Sequence, residues 1–209
     1  PYFRDVATAC NKRTPNSGCA ARDGINRSHA VLGTSEACIA THASDLAVAL
    51  TAFDAVVRIS GIRAERDVPI TTFYRLPEAT PDRETMLEPG ELVTGVALAA
   101  QPFAARSVYV KVRDRAQYDF ALASAAVALE VNDGTIVQGR IALGGVATIP
   151  WRATDAEQAL VGKQPQHDVF DRAAAVALAG ASARTHNAFK IPLAQRTLVR
   201  ALERAADLT

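Results

Sequence analysis

The run FALASAAVALEV (residues 120–131) is followed by NDG (132–134) and by TIVQGRIALGG (135–145). Both runs are short and mainly apolar, as strands are. Asp-Gly between two such runs favours a two-residue hairpin turn, because that turn needs positive φ at both central positions. The stretch therefore predicts an antiparallel hairpin at the centre of a sheet.

A third strand is predicted just before the hairpin. In SVYVKVRD (107–114) valines alternate with other residues, so that the valines share one face of the strand. The dipeptide Gln101-Pro102 precedes this strand, and we place a domain boundary there. The chain thus divides into residues 1–101 and 102–209, and the second part is predicted to hold a three-stranded antiparallel sheet.

Helices are predicted after this sheet. Thr154 and Glu157 have the spacing of a capping box, and Gly162 has the position of a glycine that ends a helix. An alanine-rich periodic run follows at 168–182, and a last helix is predicted at 192–206, with proline at its first position. We expect these helices to pack on the sheet as a small bundle.

The first part of the chain combines a helix with short extended runs. Ser44 or Asp45 can cap a helix in which Leu46, Leu50 and Phe53 recur at helical spacing. Extended runs are predicted at 55–60, 68–70 and 91–98. A proline-rich stretch before the last of these runs predicts an irregular loop. Together the two parts predict an α+β fold.

The composition excludes some classes of function. The chain has 23 Lys and Arg against 22 Asp and Glu, so its net charge of +1 gives no basic surface for nucleic acid. No apolar run reaches the roughly eighteen residues that a membrane span needs. We therefore expect neither nucleic-acid binding nor a membrane span.

Three cysteines, Cys10, Cys19 and Cys38, lie in one loop-rich segment near the start of the chain. Thiolates carried on turn-forming sequence suit a chain wrapped around a metal centre. Buried free thiols, or one disulfide with a spare thiol, are the alternatives that the residues leave open. Zinc is disfavoured, because the spacing of these cysteines with His29 and His42 fits no standard zinc module.

Four runs of the sequence are specific enough to carry a resemblance to a known family. These runs are CNKRTPNSGCAA (10–21), HAVLGTSEACIATHASDLAVAL (29–50), KVRDRAQYDFALAS (111–124) and RIALGGVATIPWRA (140–153). They resemble the FAD-binding subunit of molybdenum hydroxylases of the xanthine dehydrogenase class. The resemblance is strongest to the flavin subunit of periplasmic aldehyde oxidoreductases, in which a four-cysteine insert holds a [4Fe-4S] cluster.

The resemblance implies a fold and a set of cluster ligands. Residues 1–101 would be the cluster-binding insert and the remainder of an FAD-binding lobe of the PCMH type, and residues 102–209 a CO-dehydrogenase-flavoprotein-type C-terminal domain. Cys10, Cys19 and Cys38 would be three of the four cluster ligands. In the family the fourth cysteine and a glycine-rich FAD loop precede the first residue of this sequence. We therefore expect a fragment that is inactive alone.

The resemblance also implies three FAD-contacting residues and no catalytic residue. Asp45 would bind the ribityl side of FAD, Lys111 would approach the flavin, and Val93 would pack against it. The residues alone suggest less: a helix cap for Asp45, a solvent-facing lysine for Lys111 and an ordinary strand valine for Val93. A cation near the flavin would stabilise its anionic reduced form.

The function implied by the resemblance is electron transfer. A molybdenum-cofactor subunit would oxidise an aldehyde to a carboxylic acid, and electrons would pass through the [2Fe-2S] clusters of a second subunit to FAD and then to an external acceptor. Export with a partner would place the complex in the periplasm, and the cytoplasm is the alternative. Two other readings stay open: a structural module without cofactor, and the flavin subunit of a hydroxylase acting on a purine or another N-heterocycle.

Overall fold

The computed structural model describes residues 2–207. Two antiparallel sheets are present in this part of the chain, one with the strand order β2-β1-β3 and one with the order β4-β5-β6-β7. The α+β prediction is confirmed. The elements in chain order are α1 (Ala20–Asp23), α2 (Asp45–Ala52), β1 (Val56–Ser60), β2 (Glu65–Pro69), α3 (Ile70–Phe73), β3 (Leu92–Ala97), β4 (Ser107–Val112), β5 (Ala123–Asn132), β6 (Thr135–Gly144), β7 (Trp151–Arg152), α4 (Thr154–Leu160), α5 (His167–Ala177) and α6 (Lys190–Ala206).

The predicted hairpin joins β5 to β6. Asn132 pairs with Thr135, so the turn has two central residues. Asp133 has φ +48° and Gly134 has φ +73°, as the Asp-Gly sequence requires for this turn. The hairpin prediction is confirmed. The sheet around it has a fourth strand, the two-residue β7, which the sequence analysis missed because so short a strand leaves no periodicity.

Both faces of the larger sheet are covered, which explains why β5 is buried along most of its length. On one face Leu198 of α6 belongs to the same core cluster as Val127 of β5. On the other face Val48 and Ala52 of α2 pack with Ala126, the next residue of β5. Successive strand residues point to opposite faces. The hairpin therefore lies between α2, from the first part of the chain, and α6, from the second part.

The smaller sheet has a core of its own. Val57 and Ile59 of β1 pack with Ile70 and Phe73 of α3, and all four side chains are buried. Strand β3 lies at an edge of this sheet, opposite β1. The predicted extended run at 68–70 is in fact strand β2, which ends at Pro69, and Ile70 instead begins a short helix.

The predicted capping box at the start of α4 is wrong. Ala153 is the N-cap residue and makes no side-chain capping bond. The carboxylate of Glu157 instead accepts the backbone N–H of Ile141 at 2.7 Å and pairs with Arg152. Arg152 also pairs with Asp54, at the end of α2. A half-buried arginine needs carboxylate partners, and this need outweighs a local capping bond.

Helix α6 begins at Lys190, two residues earlier than predicted, so Pro192 is the third helical residue and not the first. In α2 the predicted apolar face is wrong only at Leu46, which is 70% exposed, and Val48 faces the sheet in its place. The other two predicted residues, Leu50 and Phe53, are partly buried against core clusters. The end of α4 is confirmed, because Gly162 follows the C-cap with φ +76°. Within residues 2–207 no helix combines the length and apolar character that crossing a membrane requires.

Candidate cofactor site

A pocket of about 620 Å³ lies between the cysteine-bearing segment and the larger sheet. All three cysteines line it, and so do two of the three predicted FAD-contacting residues. The structure thus brings together residues that the sequence spreads over a hundred positions. The predicted site residues that line this pocket are Cys10, Cys19, Cys38, Asp45 and Lys111.

Cys10 and Cys19 face each other across a short antiparallel bridge. The side chain of Asn11 fixes the loop between them, because its Oδ1 atom accepts the N–H of Gly18 at 2.7 Å. Its amide nitrogen donates to the carbonyl of Ala37 at 3.0 Å. One asparagine therefore connects the loop of the first two cysteines to the residue before the third.

Cys38 is more buried than the other two cysteines, with 7% of its surface exposed. Its Sγ atom accepts the backbone N–H of Ala40 at 3.4 Å. Burial raises the pKa of the Cys38 thiol, and the neighbouring Cys19 and Cys10 raise it further. The three thiols are free.

The donor type, a thiol, is the one that holds iron–sulfur clusters. Among residues 2–207 no three or more His, Cys, Asp or Glu side chains converge as the ligands of one metal ion do. In a cluster each iron takes its own thiolate, so the ligands need to surround a shared space and not a shared point. Cys10, Cys19 and Cys38 around one pocket meet that weaker condition.

Asp45 is the first residue of α2, and Ser44 before it is the N-cap. The Ser44 hydroxyl accepts the N–H of Ala47 at 3.1 Å, which confirms one of the two predicted caps. The carboxylate of Asp45 is thereby left to side chains of β4. It accepts hydrogen bonds from the Tyr109 hydroxyl at 2.8 Å and from Lys111 Nζ at 2.7 Å.

Tyr109 was not foreseen from the sequence. Burial raises the pKa of its hydroxyl, and the Asp45 carboxylate raises it further, so the hydroxyl remains a donor at physiological pH. The signal was its spacing from Lys111, since alternate residues of a strand share a face. Asp45, Tyr109 and Lys111 form what we call the β4 triad.

Val93 does not join the β4 triad. It lies on β3 of the smaller sheet, opposite Ile59, with 46% of its surface exposed, and it is absent from the lining of the pocket among the described residues. Its predicted contact with a flavin stays a prediction.

Two histidines of the pocket lining are half-buried and have an unused ring nitrogen. Within the described residues neither His29 Nδ1 nor His42 Nδ1 has a hydrogen-bond partner. Burial lowers the pKa of both imidazoles, which favours their neutral forms. A buried polar atom without a partner is costly, so these nitrogens suit a pocket whose occupant forms hydrogen bonds.

The pocket wall is held from behind by Lys190 of α6. This lysine is fully buried, and its ammonium donates to the carbonyls of Ser28, His29 and Gly145, all of which line the pocket. Burial, together with a smaller effect of the nearby Arg27, lowers the pKa of Lys190 to about 8. No sequence pattern distinguishes this lysine from a surface one.

Two buried asparagines reinforce the same junction. Asn187 donates to the carbonyls of His29 and Ala30, and it accepts the N–H of Arg184. Asn26 accepts the N–H of His186 at 2.9 Å. The cysteine-bearing segment is therefore attached to the last part of the chain by polar side chains, in addition to the backbone bond from the Ser182 N–H to the Val31 carbonyl.

The paired glycines after β6 have a structural role. A Cβ atom on Gly145 would lie 2.6 Å from the carbonyl oxygen of Ala121, and the residue has φ +72°. A Cβ atom on Gly144 would lie 2.5 Å from the hydroxyl of Ser124. The two glycines let the end of β6 approach the segment at Ala121 and Ser124 closely at the pocket floor.

Comparison with known proteins identifies two matching family models. The family model of the FAD binding domain in molybdopterin dehydrogenase matches residues 24–100. The family model of the CO dehydrogenase flavoprotein C-terminal domain matches residues 108–205. The chain belongs to this FAD-binding flavoprotein family. The resemblance inferred from the sequence is confirmed at that level.

Individual members of the flavoprotein family are similar over much of the chain. The aldehyde oxidoreductase FAD-binding subunit PaoB of Escherichia coli is 47% identical over 98% of this chain and 61% of its own length. The glyceraldehyde dehydrogenase medium chain of Sulfolobus acidocaldarius is 35% identical over 61% of this chain and 43% of its own. A crystal structure of Cu,Mo-CO dehydrogenase matches with a TM-score of 0.70 and 29% identity over 79% of this chain and 57% of its own. This flavoprotein chain therefore spans less than two thirds of each.

Proposed function

We propose that this chain is the FAD-binding and cluster-binding part of an electron-transfer subunit in a molybdenum-dependent aldehyde oxidoreductase. The observation that carries the proposal is the pocket that collects three thiols together with Asp45 and Lys111 of the β4 triad. The 47% identity to an aldehyde oxidoreductase subunit supports the aldehyde class. A FAD-binding family member with thiols beside its pocket is suited to pass electrons between two redox groups.

The β4 triad would serve FAD. Bound FAD accepts two electrons and releases them singly or as a pair. The Asp45 carboxylate has lone pairs left beyond its two hydrogen bonds, so it can accept hydrogen bonds from ligand hydroxyl groups. Lys111 contributes a cation at the pocket edge, where it would favour a negatively charged ligand. Tyr109 would hold the carboxylate in place.

The three cysteines would hold the cluster, with a fourth ligand from outside this sequence. Thiolates around the pocket would bind iron, and the N–H that Ala40 donates to Cys38 would withdraw charge from its sulfur. Residues of this chain would bind and orient the redox groups and exclude water from the space between them. We assign no catalytic residue, because substrate oxidation would belong to a partner.

The partners follow from the same proposal. A molybdenum-cofactor subunit and a [2Fe-2S] subunit would supply the electrons, and the complex would be periplasmic. The first test is the absorbance, iron content and flavin content of the full-length protein, purified without oxygen. We expect about four irons and one FAD per chain. A colourless protein would instead favour the structural module without cofactor.

The substrate class has its own test in the assembled complex. Adding an aldehyde under anaerobic conditions should bleach the flavin absorbance, and adding a purine should leave it unchanged. Bleaching by the purine alone would favour the hydroxylase of N-heterocycles. A subcellular fractionation of the source cells, with the protein recovered from the periplasm, tests the compartment.

A further inference from the structure

The bridge between Cys10 and Cys19 has a defined hydrogen-bond pattern. The N–H of Ala20 donates to the carbonyl of Ala9 at 2.9 Å, so this bond lies outside the cysteine pair. That pattern makes the two cysteines a non-hydrogen-bonded pair of antiparallel strands. In such pairs the Cα atoms are about 4.5 Å apart and the side chains approach most closely.

This separation falls within the range of about 4.4–6.8 Å that disulfides span. The loop between the cysteines keeps it without any metal, through bonds of its own. Ser17 Oγ accepts the N–H of Cys10 at 3.1 Å, and Asn11 Oδ1 accepts the N–H of Gly18. The pair is therefore held in register by the polypeptide itself.

Cys38 is placed differently. It comes from a separate segment and is buried, whereas Cys10 and Cys19 are partly exposed. Its sulfur already accepts the N–H of Ala40. An oxidant that enters from solvent therefore reaches the paired cysteines more readily than it reaches Cys38.

We propose that Cys10 and Cys19 form an intramolecular disulfide when they carry no metal, and that this bond prevents metal from binding until it is reduced. The first half stands on the bridge geometry alone. The second half rests on the proposed cluster, because the disulfide would remove two of the three thiolates that would hold iron.

The chemistry balances with oxidised glutathione as the oxidant. The thiolate of one cysteine attacks glutathione disulfide, forms a mixed disulfide and releases one glutathione. The thiolate of the other cysteine then displaces the second glutathione. One protein S–S bond forms and one glutathione S–S bond breaks. Two electrons and two protons pass from the protein to two glutathiones.

Trypsin makes the test direct, because Lys12 and Arg13 lie between the two cysteines. The full-length protein is stripped of metal with a chelator without oxygen, exposed to oxidised glutathione, alkylated and digested without reductant. We expect residues 5–12 and 14–22 to appear as one disulfide-linked pair in the mass spectrum. Cys38 should appear in its alkylated form.

Single cysteine-to-serine substitutions show which cysteines form the bond. Cys38→Ser should keep the linked pair, and Cys10→Ser should abolish it. A bond that joins Cys38 to either partner, or separate glutathione adducts on Cys10 and Cys19, would overturn the proposal.

The consequence for metal is measured on the same samples. Oxidised protein given iron and sulfide without a thiol reductant should take up less than about a tenth of the iron that the reduced protein takes up, and dithiothreitol should restore uptake. Equal uptake by both forms would overturn the second half of the proposal. If the anaerobically isolated protein and its reduced form never bind iron, the cluster assignment fails, while the peptide map still decides whether the disulfide forms.

Discussion

Asp45 and Lys111 lie 66 residues apart in the sequence, yet Lys111 Nζ lies 2.7 Å from Asp45 Oδ2. Tyr109 donates to the other carboxylate oxygen from the same face of β4. A helix start from one part of the chain and a strand from the other thus define one edge of the pocket. The carboxylate is held by two donors, and neither of them is the backbone of its own helix.

Lys111→Met should weaken FAD retention far more than folding. The ion pair is partly exposed, so its loss should change the free energy of unfolding by less than about 1 kcal/mol. FAD affinity should fall roughly tenfold, a change of about 1.4 kcal/mol. The measurement is a flavin titration of the flavin-stripped full-length protein. Arg83→Met is the control, because it breaks the exposed Arg83–Glu88 pair away from the pocket lining. Equal affinity in both variants would remove Lys111 from the site.

Cys19→Ser should abolish iron binding, because a serine hydroxyl is a poor substitute for a thiolate on iron. Iron content and the broad visible absorbance of the anaerobically purified protein are the readouts. Ser17→Ala is the control in the same loop, since it removes one hydrogen bond and keeps all three thiols. Full iron content in Cys19→Ser would contradict the ligand assignment.

The burial of Lys190 should make stability rise with pH. Its folded pKa of about 8 is below the ordinary value of 10.5, so the unfolded chain binds more protons between these two values. The cost of burying the charge is fully present below pH 8 and is relieved as the pH rises toward 10.5. The free energy of unfolding should gain about 3 kcal/mol over this window from this group.

The difference between the protein and Lys190→Met isolates this effect. Denaturant titrations from pH 7 to pH 10 should show a rise with pH that the variant lacks, while groups common to both cancel. Lys163→Met, at an exposed lysine, should keep the rise. A variant whose stability has the same pH slope as the parent protein would show that Lys190 is not the titrating group.

Gly145→Ala should destabilise the protein more than Gly134→Ala. Both glycines have φ near +70°, so both variants acquire the same backbone strain of about 1–2 kcal/mol. A Cβ atom on Gly134 meets open space, whereas one on Gly145 meets the Ala121 carbonyl. The crowding should add roughly 2 kcal/mol. Thermal unfolding of the two variants measures the difference in stability. An equal loss of stability would mean that the segment at Ala121 moves to accommodate the added Cβ atom.

Local features of the sequence were predictable where a few adjacent residues decide the structure. The Asp-Gly turn, the Ser44 cap and the Gly162 helix end are each determined by backbone conformation or by one short-range bond. The capping box failed because Glu157 pairs with Arg152 and accepts the N–H of Ile141, a donor that only the folded sheet brings near. A local capping box does not form where a buried arginine needs the same carboxylate as a partner.

The site was predictable only in part. The resemblance named Asp45 and Lys111, which the structure brings together, and Val93, which lies on the other sheet. Tyr109 and Lys190 were missed, because a strand tyrosine and a helix lysine have many ordinary roles. Their function depends on contacts between the two parts of the chain, and such contacts leave no periodic signal in either part.

The position of α2 has a consequence for how the molecule comes apart. This helix precedes the boundary placed at residues 101 and 102, yet Val48 and Ala52 cover a face of the hairpin that follows it. Lys190 likewise binds carbonyls at Ser28 and His29. The two sequence modules should therefore melt in one cooperative transition. A gene fragment that encodes only one of them would leave an alanine-lined sheet face open to water.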